Sequence, residues 1–229
     1  MNSAPPDPAC EPDARRLTRI NLRPIASPLP LGFYTVAIAS ALGACLQLGA
    51  FAPADRGAVG LTIVPAFVLQ LLVSVLAFGA RDVLAATVMG CFAGHWLANS
   101  LVLAATPPGG SSVLGVLNLV FAVFAVLMAT VMGPRRAVWL VLVAAVPWFV
   151  LSGTHEIVRA GWLGACAGAA GLVLALVALY TAYAMMLEEL RGEDVLPVGR
   201  HGQAHTAVRG DLTDQLRDME RQAGVRRTL

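Results

Sequence analysis

The sequence predicts an all-α membrane protein with six transmembrane helices, and three observations carry that expectation. Of 229 residues, 57% are hydrophobic and 13% charged, with a mean hydropathy of +0.71, far from the balance of a soluble domain. The charge is segregated. Between Pro30 and Tyr180 it comprises Asp55, Arg56, Arg81, Asp82, Arg135, Arg136, Glu156 and Arg159, all expected in short breaks between apolar runs. The period-two alternation of a membrane β-barrel is missing. Backbone in lipid must then satisfy its own hydrogen bonds within helices.

Taken in order, residues 1–26 hold Pro, Asp and Arg without an apolar stretch. They are expected to be a disordered cytoplasmic tail rather than a cleaved signal. A transmembrane domain is expected over 27–200. Its first span, Leu31 to Phe51, is entered through Ser27–Gly32, where proline is tolerated because a helix start leaves its N–H without a partner. The second span covers Val59 to Phe78 and the third Val83 to Leu103. The third is long enough to cross roughly 30 Å of hydrocarbon. A turn-rich loop from Thr106 to Ser112 follows. Span four covers Val113 to Met132, span five Ala137 to Leu151 or Thr154, and span six Gly161 to Met186. Span six opens with small residues, among them Gly161, Gly164 and Gly168, which suit close helix packing. The polar stretch 201–229 is expected to be a flexible cytoplasmic tail.

Arginine placement sets the expected orientation. With both termini in the cytoplasm, the inner segments carry Arg15, Arg16, Arg19, Arg23, Arg81, Arg135, Arg136, Arg191 and Arg200, and the outer loops only Arg56 and Arg159. The location expected is the plasma (inner) membrane, multi-pass. Every basic residue is Arg, a composition that points to a GC-rich bacterial source. Cys10, Cys45, Cys91 and Cys166 have no metal-like spacing, and three of them lie in apolar runs, where cysteine packs as a small hydrophobe. No metal, cofactor or nucleic-acid partner is expected.

The chemistry concentrates on the third span. Phe92, His95 and Asn99 fall at i, i+3 and i+7 and share one face. Polar groups at membrane depth usually face a bundle interior or a wet path, so this helix is the candidate wall of a substrate path. No Arg, Lys, Asp or Glu falls inside an expected span, leaving His95 as the one titrating group at depth. The plainer role for His95 is a bond to a carbonyl or hydroxyl on a neighbouring helix. Gln47, Gln70 and Asn118 are likewise expected to bond between helices or to sit at the membrane interface, and Asn99 and Ser100 to serve structure. An enzyme is not expected. His155-Glu156 begins like a zinc-protease motif, but Arg159 stands where the second His belongs.

Several stretches resemble the acetate uptake transporter (succinate–acetate permease) family. SPLPLGF at Ser27–Phe33 resembles that family's Asn-Pro-Ala-Pro-Leu-Gly-Leu signature, and ARDVLAATVMGCFAGHW at Ala80–Trp96 its third-helix stretch ending in Gly-x-Phe-Trp. AGWLGACAGAAG at Ala160–Gly171 and VLPVG at Val195–Gly199 resemble its last-helix start and closing motif. The resemblance implies a six-span protomer, often a hexamer, with a path for acetate-like small carboxylates, succinate included. It implies a pore-entrance motif of Ser27, Pro28, Pro30 and Gly32. It further implies a constriction at Val36, Phe92 and a fifth-helix position near Ala144. Here the signature Asn is replaced by Ser27, the constriction Tyr by Phe92 and its Phe by Val36; His95 stands where Phe usually precedes the Trp. The function expected is a homo-oligomeric, proton-linked carboxylate transporter or channel. The alternatives are a channel for small neutral solutes such as urea or ammonia, and a non-transporting membrane protein that binds partners through its tails.

Overall fold

The computed structural model describes residues 26–106, 110–132, 136–191 and 196. The tails expected at 1–26 and 201–229 lie outside these residues, apart from Ala26, as does the closing motif apart from Leu196. Among the described residues the fold is all-helical. Six helices are long and apolar enough to cross a membrane: α1 (Leu29–Gln47), α2 (Arg56–Gly79), α3 (Val83–Ala105), α4 (Ser112–Val131), α5 (Arg136–Val158) and α6 (Gly161–Arg191). A single 3-10 turn, Pro53–Asp55, precedes α2.

The ends of the helices follow local chemistry. Pro28 and Pro30 start α1. It stops at Gln47, one turn short of the expected Phe51, because Gly49 turns the chain with a φ of 75°, a conformation glycine adopts without cost. Asp82 caps α3 by accepting from the Ala85 N–H at 3.1 Å, and Ser111 caps α4 through the Leu114 N–H, each meeting one of the donors a helix start leaves open. Arg81 and Arg159 take left-handed φ values of 58° and 62° and close the turns before α3 and α6, as residues just past a helix end often do.

Two expectations need correction. Glu156 does not lie in a break: α5 continues through it to Val158, since a charged side chain in the last turn can reach partners beyond the apolar layer. The last helix also runs past Met186 to Arg191 and brings Glu188 into the bundle as a buried carboxylate. Leu187, Glu188, Glu189 and Leu190 are all strong helix formers, so the charge does not end the helix.

Each helix packs on the next in sequence, and α6 packs back on α1, so the six close into a ring. Short connections make consecutive helices antiparallel. The ring therefore has one end where α1, α3 and α5 finish, which we call the Arg56 end, and an opposite Leu29 end. Outward faces carry Leu61, Leu72, Val75, Val116, Val123, Val173 and Leu176, all exposed. In water such a surface would be an aggregation hazard, whereas in a bilayer it meets lipid. Interior contacts are close at a few glycines. A Cβ on Gly60 would stand 2.9 Å from the Ser100 carbonyl oxygen, and one on Gly153 would stand 2.8 Å from that of Gly115. These positions let α2 meet α3, and α4 meet α5, at backbone distance.

Candidate functional site

Along α5, Phe149, Ser152 and Glu156 fall at i, i+3 and i+7 and so share one face. They mark three successive layers inside the ring, going from mid-helix to the Arg56 end.

The first layer is aromatic. Phe92 of α3 is buried and meets Phe121 and Phe124 of α4 and Phe149 of α5, with ring centroids 6.1, 6.3 and 5.8 Å away. His95, one turn on and 1% exposed, is enclosed by Phe121 at 4.5 Å, Phe149 at 4.9 Å and Trp96 at 5.4 Å. Edge-to-face and offset contacts of this kind each stabilise by about 0.5–1.5 kcal/mol beyond their burial. The imidazole is held from its own helix: Asn99 Nδ2 lies 3.0 Å from Nε2 and 3.0 Å from the His95 carbonyl oxygen. The bond expected to a neighbouring helix is replaced by this i, i+4 pair, because rings fill the space on the facing helices.

The second layer is polar. Trp148 Nε1 donates to Gln47 Oε1 at 3.1 Å, and Gln47 Nε2 donates to Ser152 Oγ at 2.8 Å, tying α1 to α5. The Trp96 and Trp148 rings lie side by side at 5.7 Å. Ser100 is fully buried on α3 in this half of the ring.

The third layer closes the Arg56 end. Glu156 accepts the Ser111 N–H at 2.5 Å and lies 3.9 Å from Arg56 Nη2, linking α5 to the α3–α4 connection and to the start of α2. His155 Nδ1 is 3.0 Å from the Ala160 carbonyl oxygen across the last turn.

Toward the Leu29 end, Gly32 is buried where a Cβ would stand 2.7 Å from Met89 Sδ. Its carbonyl accepts from Thr35 Oγ1 at 2.6 Å and from Gln70 Nε2 at 3.3 Å. Pro28 stands just before the first residue of α1, Pro30 lies in its first turn, and Ser27 is half-buried before them. Val36 is buried on α1, and Ala144 is half-buried on α5 against the same core. The rings that touch Phe92 are Phe121, Phe124 and Phe149, none of which stood out in the sequence. They come from other helices, and a ring contact leaves no spacing signal in one chain.

Among the small residues of α6, Gly164 and Gly168 are tight. A Cβ there would stand 3.0 Å from the His155 ring and 2.9 Å from the Ala44 carbonyl oxygen, respectively. Gly161 differs, with open space where a Cβ would go, because it is the first residue of α6 and precedes the crossing. No group of His, Cys, Asp and Glu suited to a metal occurs among the described residues.

No protein-family model matches the chain, and no curated protein does. Among solved structures, the bacterial acetate channel SatP matches with a TM-score of 0.67 and 24% identity, over 76% of this chain and 99% of the channel. The closed ring of six helices described above is therefore the fold of that channel.

Proposed function

We propose that the chain is a divergent member of the acetate uptake transporter family and conducts acetate-sized monocarboxylates across a membrane along the interior of its six-helix ring. The observation that carries this reading is the fold shared with a bacterial acetate channel over nearly the whole of that channel. The order of polar, then aromatic, layers inside the ring supports it. A carboxylate arriving from the Arg56 end meets a basic residue first, then amide, indole and hydroxyl groups that can replace water, and then the Phe92 layer.

Phe92, with Val36 of α1 and Ala144 of α5, forms the narrowing. His95 and Asn99 supply the polar edge beside it, and Ser27, Pro28, Pro30 and Gly32 shape the opening at the Leu29 end. Gly164 and Gly168 hold α6 in place. Moving a bare anion through a layer of rings costs many kcal/mol, so passage is proton-linked: the proton travels on the acid or by way of His95. Both termini are cytoplasmic in a bacterial inner membrane, and the protomer assembles as a homo-oligomer, a hexamer by the family resemblance. Succinate would be a poorer substrate, since a second carboxylate doubles the cost at the same layer.

The enclosure of His95 by uncharged rings favours a second reading, a channel for small neutral solutes. Uptake of labelled acetate into proteoliposomes at mildly acidic and mildly alkaline pH separates the two. Saturable uptake that rises in acid and is blocked by excess unlabelled acetate supports the carboxylate path. Entry of urea without acetate uptake above empty vesicles overturns it.

A further inference from the structure

Most buried hydroxyls and indoles in this ring are accounted for. Thr35, Ser40 and Thr181 bond to carbonyls of their own helices. Ser74 donates to the Ala86 carbonyl oxygen at 2.7 Å, Ser152 accepts from Gln47 and Trp148 donates to Gln47. Two side chains on α3 differ. Trp96 is 2% exposed and Ser100 0% exposed, yet neither Trp96 Nε1 nor Ser100 Oγ has a hydrogen-bond partner.

An unmet buried donor costs about 1–3 kcal/mol, and Ser100 had an inexpensive remedy, since a helical serine can bond back to the carbonyl four residues earlier. The two groups are four residues apart and share a face of α3. They lie past Phe92 toward the Arg56 end, with the Trp96 ring against that of Trp148, whose own N–H is already taken. The indole N–H can only donate and the hydroxyl can donate as well as accept, so the pair can offer two donors to a carboxylate.

We propose that Trp96 Nε1 and Ser100 Oγ form a carboxylate station on α3, where a small carboxylate pauses before the Phe92 narrowing. This rests on the reading of the chain as an acetate conductor. Two neutral donors without a cation hold the anion weakly, and a conducting path requires binding weak enough for release. The station favours carboxylates over ammonium and amines, which bring donors to a site that already supplies them. Gln70 Oε1, the other uncharged buried polar side-chain atom without a partner among the described residues, is an acceptor on α2 near Gly32, so it complements the donor pair rather than competing with it.

The test measures acetate uptake by proteoliposomes of the full chain over a range of acetate concentrations, for wild type, Trp96→Phe, Ser100→Ala and Trp162→Phe. Trp162 is exposed at the start of α6 and serves as the control. Trp96→Phe and Ser100→Ala are each expected to raise the acetate concentration for half-maximal uptake about tenfold, with Trp162→Phe unchanged. Because Ser100 Oγ has no partner within the protein, Ser100→Ala is expected to keep or raise the melting temperature, which a structural hydroxyl would not allow. If Trp96→Phe does not fold, Ser100→Ala decides alone. Wild-type uptake with folded variants that keep the wild-type half-saturation overturns the station and leaves the acetate path standing. No wild-type uptake above empty vesicles overturns both.

Discussion

Trp148 Nε1 donates to Gln47 Oε1 at 3.1 Å, across the junction of α5 with the end of α1. The same glutamine donates to Ser152 at 2.8 Å, so one side chain satisfies two groups one turn apart on α5. The bond fixes the Trp148 ring beside Trp96 and sets the boundary between the aromatic layer and the polar layer.

Replacing Gln47 by Ala therefore leaves the Trp148 N–H and the Ser152 hydroxyl unmet. The expected loss of stability is about 1–3 kcal/mol, seen as a lower melting temperature of the detergent-solubilised protein. An unchanged melting temperature would mean that water already serves these groups.

Glycine substitutions along α6 should separate by position. A methyl on Gly168 would stand 2.6 Å from Leu48 Cγ and 2.9 Å from the Ala44 carbonyl oxygen, whereas one on Gly161 meets nothing within 4 Å. Gly168→Ala is expected to cost about 1–3 kcal/mol, as overpacking does, and Gly161→Ala to cost nothing. Thermal melting of the two variants side by side checks this, and equal melting would contradict the tight crossing of α6 with α1.

At the Arg56 end, Glu156 makes two unequal interactions, a 2.5 Å bond from the Ser111 N–H and a long 3.9 Å pair with Arg56. Glu156→Gln keeps an oxygen for Ser111 and loses only the ion pair, while Glu156→Ala loses both. Glu156→Ala should cost about 1–3 kcal/mol and Glu156→Gln less. Equal losses in a melting experiment would transfer the weight to Arg56.

Phe92→Ala removes a ring that touches three others. It is expected to destabilise by about 3–5 kcal/mol and to relax size discrimination, so that uptake of butyrate rises relative to acetate. An unchanged ratio in protein that remains folded would place the size filter elsewhere.

Much of the fold was legible because lipid imposes one rule on every residue. Charges mark the ends, and the stretch from Val83 to Leu103 emerged as a helix that starts at the same residue, capped by Asp82. Where the expectation slipped, a local effect outweighed hydropathy: Gly49 ended α1 early, and the helix-forming run at Leu187–Leu190 carried α6 past its apolar limit. The site was legible in part: Gln47 and Gln70 do bond to other helices as expected, but their partners were not readable. Phe92, His95 and Asn99 could be placed on one face, but Phe121, Phe149 and the Gln47–Trp148–Ser152 chain come together through helix crossings that spacing along one chain does not encode.

The central claim is that acetate passes through the interior of the ring past Phe92, and Phe92→Trp tests it most directly. The larger ring overfills a layer already closed by Phe121, Phe124 and Phe149. Acetate uptake into proteoliposomes should be saturable for wild type and fall about tenfold or more for folded Phe92→Trp, a change in barrier of about 1.4 kcal/mol per factor of ten. Wild-type uptake matched by the folded variant would place the path outside this layer and contradict the account.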